Sequence, residues 1–129
     1  MNKAIALSNS NNNNNYNNNY NNTNINQNYN YNYNLVDDNI ITGRLLSRLL
    51  QQKFKHEVTC VLSGQEALKQ LSISTFDLIF MDIDMPELSG IDTSIKIRES
   101  NIALEKNRKI PILAYTTNKW DDKFSKAGM

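Results

Sequence analysis

The chain has 129 residues, with 13 acidic and 14 basic side chains, a length that suits one domain. All 13 acids and every basic residue except Lys3 lie after Asn34, so the segment that can fold is formally neutral and carries no electrostatic footprint for nucleic acid or an anionic membrane. The single cysteine, Cys60, excludes an internal disulfide, and no apolar run approaches membrane-spanning length. These features lead us to expect a soluble protein of a reducing compartment, cytoplasmic or shared between cytoplasm and nucleus.

From Asn9 to Asn34 nearly every residue is asparagine, interrupted by Tyr16, Tyr20, Tyr29, Tyr31 and Tyr33 and by no charge. Such a segment buries too little apolar surface to offset its ordering entropy, so residues 1–34 read as a disordered Asn/Tyr-rich leader. It is either a solvated tail or a self-associating segment. Residues 35–129 form the domain.

The first strand grows out of the repeat, with Tyr31, Tyr33 and Leu35 alternating with Asn32 and Asn34 before Val36. An asparagine face is a poor match for a buried central strand. Asp37, Asp38 and Asn39 cluster at its tip. A helix follows, with Ile41, Leu45, Leu49, Leu46 and Leu50 on its apolar stripe. Val58 to Leu62 makes a second strand, where Cys60 is expected to be a buried thiol. His56, in the polar stretch before it, reads as a surface residue. Ser63 and Glu66 stand at capping-box spacing before a second helix whose apolar face is Ala67, Leu68 and Leu71.

The stretch FDLIFMDIDMPELSG, residues 76 to 90, is the densest in information. Its apolar half reads as a strand buried on both faces, and Asp82 is a carboxylate at the strand tip. Ser89 then caps a third helix with Asp92 in its first turn and Ile91 and Ile95 facing inward. Residues 101–109 are polar and read as a loop. Ile110 to Tyr115 is a fourth strand with Pro111 near its start. Lys119 to Ala127 is a short amphipathic helix carrying Trp120 and Phe124 as packing residues, with Gly128 as its C-terminal cap.

Strands alternating with helices specify a parallel α/β sheet with right-handed crossovers. In such a sheet the tips of strands one, three and four share an edge, bringing Asp37, Asp38, Asp82 and Thr116 towards one crevice. Three carboxylates there would repel one another unless a cation neutralised them. Oxygen-only ligands with room for water suit Mg²⁺, which would also draw a phosphoryl oxygen in beside the negative charge. Asp82 can then attack phosphorus as a nucleophile, and the Thr116 hydroxyl can hydrogen-bond a phosphoryl oxygen. Each piece alone has an ordinary reading: Asp37 and Asp38 as helix caps, Thr116 and Thr117 as strand-end residues, Pro86 and Gly90 as turn residues. Their conjunction in one alternating frame favours the functional reading.

The residues LVDDN at 35 to 39, DLIFMDIDMPELSG at 77 to 90 and IPILAYTTN at 110 to 118 resemble the receiver domain of two-component response regulators, including receivers fused to hybrid histidine kinases. The resemblance runs from Leu35 to the end of the chain. It implies a flavodoxin-like doubly wound parallel sheet of order 2-1-3-4-5, and a phosphorelay response regulator in which Asp82 accepts phosphate from a phosphohistidine. It further implies that Asp38 binds Mg²⁺ directly and Asp37 through water. The backbone carbonyl of Asp84 would complete the protein ligands, with Asp82 itself at the metal and Thr116 as the switch hydroxyl. Pro86 and Gly90 would shape the loop beside the site, and Thr117 stands where the family more often has alanine. The implied partner is a histidine kinase or a His-phosphotransfer protein, and the implied role is that of a phosphoacceptor signalling domain rather than an enzyme, apart from self-catalysed phosphotransfer and dephosphorylation. The Asn-rich leader resembles those of fungal or amoebal phosphorelay proteins, with a fungal stress response regulator as the nearest suggestion.

The family continues with a fifth strand, a lysine at its tip and a fifth helix, none of which follows Met129. Lys119 and Lys123 fall on the fourth helix and do not replace that lysine. Either the chain is a fragment of a longer product, or it is a reduced receiver whose fourth strand is an uncovered edge liable to associate with itself or a partner. Two alternatives stay open beside phosphotransfer. One is a pseudo-receiver that keeps the fold as an interaction module. The other is a haloacid-dehalogenase-type phosphatase, suggested by Asp82-Ile83-Asp84 and disfavoured by Met85, Pro86 and the short chain.

Overall fold

Strand and helix alternate as the hydrophobic pattern dictates, in a computed structural model that describes residues 4–6 and 30–129. The disorder expected of the leader falls, for residues 7–29, outside the described residues. The elements are β1 (Ala4–Ala6), β2 (Asn32–Val36), α1 (Ile40–Phe54), β3 (Glu57–Val61), α2 (Gly64–Ile73), β4 (Leu78–Asp82), α3 (Gly90–Glu99), α4 (Glu105–Lys109), β5 (Ile112–Thr116) and α5 (Asp122–Lys126). They build one sheet of order β1-β5-β4-β2-β3. The pairs β2·β3, β2·β4 and β4·β5 are parallel, whereas β1 lies antiparallel on β5.

Strand β2 sits between β3 and β4, and its period-two alternation sends its side chains to two different cores. Leu35 joins Leu50 and Phe80 on the α1 face. Val36 joins Ala67, Leu71, Ile79, Met81 and Ile97 beneath α2 and α3. Fully burying a side chain of this size stabilises the fold by about 1.5–3 kcal/mol. Asn34, also fully buried, projects an amide whose nitrogen and oxygen have no hydrogen-bond partner among the described residues. The mismatch expected of an asparagine in a central strand is therefore present, and the strand, starting at Asn32, takes its first residues from the repeat assigned to the leader.

The helix starts follow their caps. Asn39 accepts from the N–H groups of Ile41 and Thr42 at 3.0 and 3.2 Å. Ser63 Oγ accepts from Glu66 N at 3.2 Å, and Ser89 Oγ from Asp92 N at 3.1 Å. Gly128, at φ 82, closes α5 as expected, its N–H reaching Ser125 O at 3.0 Å.

Several expectations are corrected. The edge of β5 is covered over Ala114 to Thr116 by Ala4–Ala6, a three-residue segment from far upstream in the chain. On α1 the residues facing the sheet are Gly43, Ser47 and Leu50, while Ile41, Leu45 and Leu49 are exposed. Small Gly43 and Ser47 let the helix approach closely, which rotates the neighbouring leucine stripe outward. On α3, Ile91 packs inward against the Ile83, Ala114 and Phe124 cluster as expected, but Ile95 is exposed and Ile97 is the fully buried isoleucine. Cys60 is exposed since β3 is an edge strand. Trp120 precedes α5 and is exposed, its ring edge-on to buried Phe124 at 5.1 Å. The polar stretch at 101–109 contains α4, and its Asn107 is fully buried. Asn107 Oδ1 accepts from Phe76 N at 3.0 Å, and its Nδ2 donates to Leu71 O and Ser74 O at 2.8 and 2.6 Å.

Candidate functional site: an acidic crevice at the strand tips

The parallel register does the assembling. Val36 is opposite Met81 and Asp82 is opposite Tyr115, so the next residues, Asp37 on one side and Thr116 on the other, flank the tip that carries Asp82. Carboxylate oxygens of Asp37, Asp38 and Asp82 come within 4.8 Å of one another. Asp37 and Asp82 are 1% and 2% exposed, and Asp38 faces solvent. Helix capping does not occupy them, because Asn39 performs that task. Asp37 Oδ1 instead accepts the N–H of Asn39 at 2.8 Å, and its own N–H donates to Val61 O at 3.1 Å. Those two bonds hold the loop between β2 and α1 against β3.

The donor set is all oxygen and anionic, which selects a hard cation over thiolate- or imidazole-seeking metals. Its span is close to the roughly 4 Å that separates opposite ligands of an octahedral Mg²⁺. The residues present therefore fit that ion, with Asp38 on the solvent side where coordinated water would remain.

The loop after β4 is fixed by a close approach. A Cβ on Gly90 would collide with the backbone carbonyl oxygen of Asp82, and Gly90 N donates to Ile83 O at 3.0 Å. Glycine here lets the start of α3 cross directly over the strand tip. Within the same loop Leu88 N donates to Pro86 O at 2.7 Å, and Glu87 adopts the left-handed region at φ 63. The side chain of Asp84 turns towards the other bank, where its Oδ2 accepts from Asn118 Nδ2 at 2.8 Å.

Thr116 is buried, and its hydroxyl oxygen accepts the Asn118 N–H at 3.0 Å. Thr117 is exposed. Asn118 thus ties the end of β5 to the loop after β4, a role nothing in the sequence pattern announces. The only hint is a third polar residue after two threonines at a strand end. Lys119 is exposed on the loop after β5, while Lys123 lies on α5, where its Nζ is 3.8 Å from Asp121.

Residues 34–128 match the response regulator receiver domain family. Among characterised proteins, the hybrid signal transduction histidine kinase L of Dictyostelium discoideum is 42% identical over 90 residues, 65% of this chain and 5% of that protein. Histidine kinase 2 of Arabidopsis thaliana is 40% identical over 77 residues, 59% of this chain and 6% of that protein. The chain therefore spans a small part of the length of these relatives. Among solved structures, the receiver domain of a sensor histidine kinase from Pseudomonas aeruginosa PAO1, with a magnesium ion coordinated in its active site cleft, superposes with a TM-score of 0.67 at 28% identity, covering 78% of this chain and 80% of that one. The Saccharomyces cerevisiae complex of the histidine phosphotransfer protein Ypd1 with the receiver domain of its downstream response regulator Ssk1 gives 0.51 at 36% identity, covering 54% and 48%. With most of its described residues matched and its sheet built in the corresponding order, the chain belongs to the family of response regulator receiver domains.

Proposed function

We propose that the chain is a phosphorelay receiver in which Asp82 accepts a phosphoryl group from a phosphohistidine. The observation that carries this reading is the convergence of three carboxylates within 4.8 Å at the strand tips, with Asp82 among them and 2% exposed. Asp37, Asp38 and Asp82, with the backbone carbonyl of Asp84, would hold Mg²⁺. When bound, the ion would supply charge neutralisation that admits a phosphoryl oxygen to an anionic pocket.

An Asp82 carboxylate oxygen attacks phosphorus in line with the P–N bond. That bond breaks, its electron pair stays on the imidazole nitrogen, and the phosphoryl group remains on Asp82 as an acyl phosphate. The Thr116 hydroxyl receives the Asn118 N–H on a lone pair, which leaves its O–H to donate to a phosphoryl oxygen. Rotating towards that oxygen breaks the bond to Asn118, and the bond from Asn118 to Asp84 passes the change to the loop after β4. The protein is read as a phosphoacceptor signalling domain of the cytoplasm, and its donor as a histidine kinase or His-phosphotransfer protein. The phosphotransfer protein bound to a receiver in the yeast complex supports that partner class.

Incubating the chain with phosphoramidate and Mg²⁺ tests the reading. A label that requires Mg²⁺ and is absent from Asp82→Asn is expected. No label on the parent, with partner binding unchanged in Asp82→Asn, would favour an interaction module instead.

A further inference from the structure

Behind the acidic crevice the fold leaves a second cavity, between α1 and β3, with a volume of about 210 Å³. Leu35, Asp37 and Val61 are buried at its floor, and Ile40 and Leu62 stand exposed at its rim. One wall is the backbone of Gly43, where an added methyl group would meet only Asp37 Cβ, at 3.8 Å. Alanine would therefore fit and would steady the helix, in whose interior glycine costs stability. What it would take away is room in the cavity.

Two charged residues interrupt the apolar lining. Asp37 is shared with the acidic crevice, and its N–H donates to Val61 O at 3.1 Å while its Oδ1 accepts the Asn39 N–H at 2.8 Å. The loop that places this carboxylate is thus also the partition between crevice and cavity. Arg44 stands exposed at the rim and makes no ion pair among the described residues. A dry apolar cavity of about 150 Å³ holds a benzene molecule, so about 210 Å³ takes one aromatic ring with a substituent. A guanidinium at the mouth selects a carboxylate as that substituent, since its paired N–H donors match the two oxygens.

We propose that the cavity between α1 and β3 binds a small aromatic monocarboxylate, its ring against Leu35 and Val61 and its carboxylate on Arg44, and that occupation tightens Mg²⁺ binding through Asp37. The coupling rests on the phosphorelay reading, in which Asp37 is a metal ligand; the binding does not. A ring that replaces water behind Asp37 lowers the local dielectric, which strengthens the attraction between that carboxylate and a cation. The negative charge of the ligand acts in the same direction. Coupling of this kind is reciprocal, so Mg²⁺ tightens the aromatic ligand by the same factor.

The experiment uses the full 129-residue chain, whose one cysteine is Cys60. Cys60 is exposed on the cavity wall, its Sγ 3.9 Å from Gly43 O, so its alkylation by iodoacetamide, in which sulfur displaces iodide, reports occupancy without any phosphodonor or metal. Benzoate is expected to slow that reaction several-fold in a saturable way, and benzylamine, a similar ring with the opposite charge, to leave it unchanged. Arg44→Gln should raise the benzoate concentration needed for protection, and Arg44→Lys should recover part of the loss. Gly43→Ala should melt higher than the parent and yet be protected less, which separates loss of room from loss of fold. Calorimetric titration with Mg²⁺ should show an affinity at least about fivefold higher in saturating benzoate. No protection by benzoate, or equal protection by benzylamine, overturns the site, and an unchanged Mg²⁺ affinity overturns the coupling. Protection by benzoate in a chain that takes no label from phosphoramidate would leave the site standing and remove the phosphoacceptor reading instead.

Discussion

Asn118 donates from Nδ2 to Asp84 Oδ2 at 2.8 Å and from its backbone to Thr116 Oγ1 at 3.0 Å, so one residue, through its side chain and its backbone, bridges the two banks of the acidic crevice. The contact to Asp84 is exposed, and such a bond contributes only about 0.5–1.5 kcal/mol. Asn118→Ala should therefore shift the melting temperature by a few degrees at most, yet open the mouth of the crevice to water. A several-fold faster loss of label from Asp82 in a chase is expected, and an unchanged decay would show that the bridge does not screen the acyl phosphate.

Asn34 is the clearest stability liability. Its amide is fully buried without a hydrogen-bond partner among the described residues, and an unsatisfied group of this kind costs about 1–3 kcal/mol. Asn34→Leu, similar in volume, should raise the urea midpoint and the melting temperature, by about 4–8 °C per kcal/mol recovered. A lower midpoint would mean that the amide has a partner outside the described residues.

Gly90→Ala should fail in the opposite direction. The new methyl group meets the backbone of Asp82 rather than a flexible side chain, so relief requires moving the strand tip itself. A loss of about 1–3 kcal/mol is expected from overpacking, along with weaker Mg²⁺ binding measured by titration. Retention of both would show that the start of α3 can shift without disturbing Asp82.

Acid sensitivity has a named contributor at the far end of the sheet. Asp77 Oδ2 accepts the Asn32 N–H at 2.9 Å and Oδ1 accepts Lys106 Nζ at 3.0 Å. The backbone bond, and then Lys106, hold its carboxyl below the usual aspartate range. A depressed folded pKa contributes stability that is complete above the unfolded value of about 3.9 and is lost as pH falls through the folded one. Asp77→Asn should accordingly be less stable than the parent at pH 7, with the difference closing below about pH 4. Melting curves across that range check it, and a gap that stays constant with pH would assign the effect to geometry alone.

The acidic crevice was legible because each of its members sits where hydrophobic period changes: Asp37 and Asp38 between a strand and a helix, Asp82 and Thr116 at the ends of apolar runs. The caps at Ser63 and Ser89 were legible for the same local reason. What depends on the order of strands was not. Cys60 belongs to a strand with a good β pattern, and only its place at the sheet edge exposes it. Helical periodicity in α1 presents two adjacent apolar stripes, and the choice between them is made by Gly43 and Ser47, which carry little hydrophobic signal. Asn107 lies in a stretch that reads as a polar loop and is buried, because the groups it satisfies are backbone atoms of α2, of its C-terminal cap Ser74 and of the segment entering β4. His56, taken as a surface residue, is half-buried against the rings of Tyr31 and Tyr33 at 5.1 and 5.0 Å. Ala4–Ala6 has no pattern of its own, and its pairing is decided by the open edge of β5.

Strand β2 takes its first residues from the asparagine repeat and is flanked on both sides, Asn34 lying opposite Thr59 and Ile79. A gain or loss of one residue upstream of position 30 leaves that register alone. The same event within 32–36 would exchange the two faces of the strand, turning Leu35 and Val36 each towards the wrong core. Within 32–36, then, the asparagine repeat is held to a single register by the strands on both of its sides.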